Sequence, residues 1–295
     1  YPKYHLVAVV HPRATHCTQH LQKMYDRVIV RDLGLNVSKI NTRHKYHRNV
    51  NSNGCCGPYE FLKLEAYSFE NEYDVVVSLD TDLLILKPMD DIIATLISSS
   101  GRISKKLHLL HRNNNTRSSS MEEKNHHHQQ QEHLNVSFIH TRDYVQMSSM
   151  TDDRNKLAVQ GGFFAIRPNQ FVYREMIKII HKGIFNPRKG WNGEGYGGYY
   201  GSAQVQGFLS YMYGSVLPRS SMLHKESRSM ELHPCYYNSM VIGSPYTEDG
   251  ICRYDSNLTI NTTTTANNVS SCPDCESLTL SELHSAHYTV CYKPW

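Results

Sequence analysis

The sequence predicts an α/β chain with a mixed, mainly parallel sheet flanked by helices. Three observations carry that expectation. Residues 4–10 and 27–30 are short β-branched runs on either side of a helical stretch at 15–25, a βαβ unit that implies parallel pairing and a right-handed crossover. Val75-Val76-Val77 reads as a strand buried on both faces of a parallel sheet. Gly161-Gly162 opens a third pattern: residues 163–166 form a strand, Arg167-Pro168 ends it, and 171–180 is an amphipathic helix.

The stretch 58–97 organises the rest. Pro58 suits a first helical turn, and Leu62, Ala66 and Phe69 recur at i, i+4 and i+7 as one apolar stripe. After the Val75–Val77 run come Asp80, Thr81 and Asp82, two carboxylates one residue apart at a strand's carboxyl end, where open α/β sheets place their ligands. Two anions so close repel one another, and a divalent cation between them removes the repulsion. Hard oxygen donors suit manganese or magnesium, which neutralise a diphosphate in turn. Residues 83–86 resume the apolar run, Lys87-Pro88 turns the chain, and Asp90 is placed to cap the next helix.

Composition excludes several classes. A chain of 295 residues accommodates one large domain with insertions. A mean hydropathy of −0.52 is polar for an enzyme, so part of the length lies outside the core. The net charge of +4 has no dense Lys/Arg face, which gives no case for nucleic acid. No apolar run reaches the about 20 residues that span a bilayer, and no signal peptide is visible. The chain opens at Tyr1 without a methionine, which suggests an excerpt whose membrane anchor or targeting segment lies outside it. Eight cysteines and six sequons (Asn36, Asn114, Asn135, Asn257, Asn261, Asn268) point to an oxidising secretory lumen, the Golgi above all, with the cytoplasm as the alternative.

Beyond these blocks the pattern thins. Residues 31–57 read as loop. Residues 98–154 lose all periodicity and carry runs of Asn, Ser, His and Gln, the composition of a disordered insertion, so that His126–His128 reads as a polar tract before it reads as a metal site. The glycine- and tyrosine-rich loop 190–201 suits either a sugar ring or a structural turn with buried tyrosines. Residues 204–213 read as a helix with Gln206 near its start. Residues 217–286 are irregular and rich in Cys and sequons. Cys272 and Cys275 can be half a zinc site, but no second pair stands at ribbon spacing, and disulfides are the better reading. His287 and Lys293 fall together in the last block. Read alone, His287 is an ordinary packed histidine; near two aspartates it would complete a metal site.

Taken in order, the blocks F-L-K-L-E-A, Y-D-V-V-V-S-L-D-T-D-L-L-I-L-K-P, G-G-F-F-A-I-R-P, Q-G-F-L and H-Y-T-V-C-Y-K-P-W resemble the glycogenin-type glycosyltransferases of family 8 over about two thirds of the chain. Those are retaining, nucleotide-sugar-dependent enzymes of GT-A, Rossmann-like fold. The resemblance implies that residues 1–295 form a single catalytic domain using manganese or magnesium and a UDP-sugar donor. It implies Asp80, Asp82 and His287 as metal ligands, with Asp80, Thr81 and Asp82 also facing the nucleotide. It makes Lys63 and Lys293 donors to the nucleotide sugar and its diphosphate. Gln160, Gly161 and Gly162 occupy the segment facing the sugar, where the family commonly has Asn, and Gln206 falls on the glutamine of a D-Q-G block. Asp80, Asp82, Lys63 and Gln206 are thus the residues expected to carry the chemistry, on an acceptor that is a glycan, a protein or a lipid.

Three departures qualify that picture. Val290 replaces the glycine of the terminal block, and with it a close backbone approach to phosphate. Val205 stands where glycogenins carry an aspartate, so self-glucosylation is not expected. Residues 4–30 resemble the family's second βα unit, and the first, which carries much of the uridine site, is not in the sequence. The alternative is a weakened family member that binds nucleotide sugar in the lumen as a scaffold. An adhesion module stabilised by disulfides would have no use for D-T-D after a buried strand. No carboxylate pair at a glycosidase's separation is evident.

Overall fold

The computed structural model describes residues 4–36, 40, 46–52, 54, 56–98, 136–143, 156–240 and 275–288. At the head of the chain β1 (Val7–Val10) and β2 (Arg27–Val30) pair in parallel, Val7 opposite Arg27. Between them a 3₁₀ turn, Pro12–Cys17, leads into α1 (Thr18–Leu21), a single turn with no buried residue. The helix expected over 15–25 shrinks to this because nothing packs against it, and short helices depend on tertiary contact. Within 31–57, read as loop, the structure holds α2 (Tyr46–Ser52), anchored by fully buried Tyr46 and Val50 one turn apart.

Residues 57–69 are helical as expected, but wound as a 3₁₀ helix. Its buried ridge is Pro58, Phe61, Leu64 and Tyr67, every third residue, which matches a period of three residues per turn. The i, i+4, i+7 stripe is corrected at one position: Ala66 and Phe69 are buried, but Leu62 is half-exposed. The same winding stacks Glu60 and Lys63 on one ridge. Next come β3 (Val76–Leu79), a turn, β4 (Leu83–Ile85) and α3 (Asp90–Ile97). Met89, not Asp90, is the N-cap; Asp90 sits in the first turn and accepts from the Tyr4 hydroxyl.

Residues 138–142 correct the expectation of disorder across 98–154. They form β5 (Phe138–Arg142), buried along its whole length, in the middle of a four-stranded sheet ordered β3-β6-β5-β9. Its charged residue is matched by a tertiary partner: Arg142 makes a two-pronged ion pair with Glu231, 2.8 Å at each prong. β6 (Val159–Ile166) is the strand buried on both faces, and α4 (Gln170–Lys182) follows it. The Asn169 side chain caps α4 by accepting from Phe171 and Val172 N–H, and Gly183 closes it at φ 61°. A small hairpin, β7 (Phe185–Asn186) with β8 (Gly190–Trp191), precedes α5 (Val205–Tyr211), which runs through a wider π turn into Leu217–Arg219. β9 (Ser229–Leu232) and α6 (Pro234–Tyr237) lie inside the stretch 217–286 read as irregular, and β10 (Ser285–His287) bridges its end and the terminal block.

The sheet is mixed. β6 runs antiparallel to β3 and β5, and β5 runs parallel to β9. β3 therefore sits at the sheet's edge, half-buried, rather than at the centre of a parallel sheet. Alternation along β6 divides the core: Phe164 and Ile166 face the 3₁₀ helix, α4 and α5, while Phe163 and Ala165 face α3 and α6. The chain is a mixed α/β fold with helices on both faces of its main sheet.

Candidate metal centre

The site is built where β3 ends. Asp80 N–H donates to the Gly162 carbonyl at 2.9 Å, which continues the β3–β6 ladder by one residue, and Leu83 N–H returns to the Asp80 carbonyl at 3.1 Å. This tight turn presents the Asp80 and Asp82 side chains, with Thr81 exposed at its tip. The imidazole arrives by strand pairing. β10 runs antiparallel to β4 with His287 opposite Leu83, and Tyr288 N–H donates to the Asp82 carbonyl at 2.9 Å. Register alone thus sets the His287 ring beside the carboxylates.

His287 Nε2 lies 3.3 Å from Asp82 Oδ1 and 3.8 Å from Asp80 Oδ2, and one ligand atom from each of the three residues lies within 4.8 Å of the others. Lys63 Nζ holds the other Asp80 oxygen at 2.7 Å and Glu60 at 2.8 Å. Among these side chains, three carboxylates against one ammonium leave two negative charges, the balance a divalent cation cancels. Burial would lower the Lys63 pKa, but Asp80 and Glu60 outweigh it and hold the ammonium above its ordinary range. Burial also pushes the His287 imidazole below its usual value, which Asp80 and Asp82 only partly offset. A neutral imidazole and two carboxylates are a donor set for manganese or a similar divalent ion. The shortest donor separation, 3.3 Å between His287 Nε2 and Asp82 Oδ1, is near the about 3 Å between neighbouring ligands of an octahedral ion with bonds of about 2.1 Å. The residues present fit such an ion.

The floor of the site is glycine by necessity. A Cβ on Gly162 would run into His287 Cε1 and come within 2.9 Å of Asp80 Oδ2 and 3.0 Å of Gln160 Oε1. Gly161 is less constrained; a Cβ there would meet Val205 at 3.1 Å and Gln206 at 3.2 Å. Gln206 is held by its Nε2 donating to the Tyr200 carbonyl at 2.9 Å. The structure therefore gathers Lys63, Asp80, Asp82, Gly162 and His287 at one point and sets Gln206 against the adjoining glycine. Lys293 and Val290 lie outside the described residues, as does His126–His128.

Two polar residues complete the site. Gln160 points its carbonyl under Gly162 rather than outward. Asn238, fully buried, bonds His287 Nδ1 at 3.0 Å and Gln160 Oε1 at 3.0 Å. Sequence reasoning passed over Asn238 because it follows Tyr-Tyr in a stretch without periodicity. Cys235, three residues earlier, is disulfide-bonded to Cys275, so the half-zinc-site reading of Cys272 and Cys275 gives way to a disulfide for Cys275. The loop 190–201 turns inward: Trp191, Tyr196 and Tyr199 are buried, and the Trp191 indole donates to the Ser202 carbonyl at 2.9 Å. Only Tyr200 of its aromatic residues is exposed.

No protein-family model matches the chain, and no curated protein does. Among solved structures, the apo form of mouse xyloside xylosyltransferase 1 superposes with a TM-score of 0.45 at 8% sequence identity, over 98% of this chain and 86% of that one. That likeness is too distant to place the chain in a family. Among the described residues no helix is long and apolar enough to cross a membrane.

Proposed function

We propose that the chain is a metal-dependent glycosyltransferase domain that moves a hexosyl-type sugar from a UDP-sugar to a glycan, protein or lipid acceptor with retention. One observation carries the reading: Asp80, Asp82 and His287, distant in sequence, converge within ligand distance of one another beside Lys63. A manganese or magnesium ion bound there supplies positive charge against a departing diphosphate. The chain's own residues do the rest. Asp80, Asp82 and His287 hold the ion, and Lys63 orients Asp80 through the ion pair at 2.7 Å. The resemblance to glycogenin-type enzymes adds Lys293 as a diphosphate contact, and places Gln160 to Gly162 and Gln206 on the sugar side. In the transfer, the anomeric carbon breaks its bond to the diphosphate and bonds the acceptor oxygen on the same face. The acceptor's proton passes to a diphosphate oxygen.

The Cys235–Cys275 disulfide supports a lumenal, Golgi-type setting over the cytoplasm. In this reading residues 1–295 are one GT-A-type catalytic domain with insertions at 98–154 and 217–286, within which β5 and β9 lie. The deciding measurement uses the full-length protein and a panel of UDP-sugars with manganese. Release of UDP that depends on metal, and falls at least a hundredfold in Asp82→Ala, is the expected result. Undiminished turnover in that variant removes the assignment.

A second reading has its own observation. Val205, where the resemblance calls for an aspartate, is 1% exposed and packs beside Gly161. A carboxylate is therefore missing next to the sugar segment, as a nucleotide-sugar-binding scaffold would tolerate. Manganese-dependent UDP binding without release of UDP from any donor favours it.

A further inference from the structure

Gly162 N–H, a group that can only donate, points at the Gln160 side chain at 2.6 Å, so the atom receiving it is the carbonyl oxygen. Asn238 meets that same oxygen at 3.0 Å and Thr141 Oγ1 at 3.0 Å, which makes its atom on that side the amide nitrogen. The other Asn238 atom, 3.0 Å from His287 Nδ1, is then the oxygen, and Nδ1 has to carry the proton that fills the bond. A neutral imidazole has one N–H. Its remaining lone pair is on Nε2, and Nε2 is the atom turned to Asp80 and Asp82.

We propose that Asn238 is a positioning residue that locks His287 as the Nδ1–H tautomer, so that Nε2 is presented as a ready ligand before any ion arrives. The direction of every bond in the relay is fixed at its far end by the backbone of Gly162, the residue that also makes room for the site. The geometry is held from both sides. Ser239, next to Asn238, donates to the Ser285 carbonyl at 3.1 Å and accepts from His287 N–H at 2.8 Å. Asn238 and Thr141 are fully buried and Gln160 is 8% exposed, so water does not substitute for a lost partner. Partners of this kind on a ligating histidine change metal affinity by about 10–100-fold when removed.

The inference rests on the metal reading for its purpose but not for its test. In full-length, metal-free protein labelled with ¹⁵N-histidine, two-bond ¹H–¹⁵N correlation shows which ring nitrogen of each histidine is protonated, with His287 assigned by its loss in His287→Gln. At a pH where the ring is neutral, the expected result is a His287 ring protonated at Nδ1. In Asn238→Leu the Nδ1–H state loses its dominance and manganese affinity, read by calorimetric titration, falls about 10–100-fold. A neutral wild-type ring protonated at Nε2 overturns the proposal without any variant having to fold. So does an Asn238→Leu protein whose tautomer and manganese affinity match wild type. Wild-type protein that holds Nδ1–H yet binds no manganese upholds the tautomer and sinks the metal reading, which keeps the two failures apart.

Discussion

Gly162 is the residue on which the site is most sensitive. Its missing side chain leaves the space that His287, Asp80 and Gln160 fill. Gly162→Ala places a methyl group against all three, and overpacking of this kind costs about 1–3 kcal/mol. The expected outcome is a lower Tm together with at least a tenfold loss of manganese affinity, since the ring and the carboxylate have to part; thermal melts and titration calorimetry read both. Gly161→Ala, with its nearest neighbours beyond 3 Å, is the milder control. At this scale the sequence was informative where chemistry is compact. D-T-D was legible from its place directly after a buried hydrophobic run, whereas His287, read alone an ordinary packed histidine, stood out only through the resemblance. Asn238 was not legible, because its worth depends on a bond to Gln160, 78 positions earlier in the chain.

The pairing of β4 with β10 does more for the site than either strand's length suggests. Three residue pairs set His287 against Leu83, and the disulfide ties the segment leading to β10 to the helix leading to Asn238. Cys235 and Cys275 are 40 residues apart, for which loop-closure entropy gives about 4 kcal/mol. Reduction, or Cys235→Ser with Cys275→Ser, is expected to lower the Tm and weaken manganese binding together. Reductant that changes neither would separate the crosslink from the site. A smaller effect belongs to the 3₁₀ turn at Glu226. Burial raises its carboxyl above the ordinary value, with Arg167 opposing and Glu70 adding. The unfolded chain then ionises first as pH rises, so the folded state loses ground above about pH 4.5. Glu226→Gln removes that slope, and its Tm relative to wild type should climb between pH 4 and 7.

Elements were legible where packing and local pattern agree. The helix after Arg167-Pro168 was legible from its amphipathic stripe, and the structure adds the Asn169 cap and the Gly183 stop. The segment 57–69 misleads because a 3₁₀ ridge recurs every three residues and the sequence also offers a passable spacing of four. β5 is invisible from Phe-Ile-His-Thr-Arg alone. Arg142 is buried only because Glu231 waits on the neighbouring strand, and His140 because it stacks on Phe138.

Over the whole molecule, an ion that binds only the folded chain should stabilise all of it. At a hundredfold excess over Kd the gain is about 2.7 kcal/mol, read as a rise in Tm with manganese that a chelator reverses. An unchanged Tm at millimolar manganese would count against the site. The class of fold was readable from alternating strand and helix patterns, whereas strand direction was not: β3 and β6 are antiparallel, and no local signal distinguishes a strand that returns through a distant element from one that crosses over nearby. That long return has a consequence during synthesis. The ribosome releases Asp80 and Asp82 long before His287, a delay of about 10–40 s at ordinary elongation speeds. For that interval the nascent chain offers two carboxylates without the imidazole, so the donor set is complete only once the strand carrying His287 has emerged. Ion capture therefore reports that translation has reached the end of the strand that carries the imidazole.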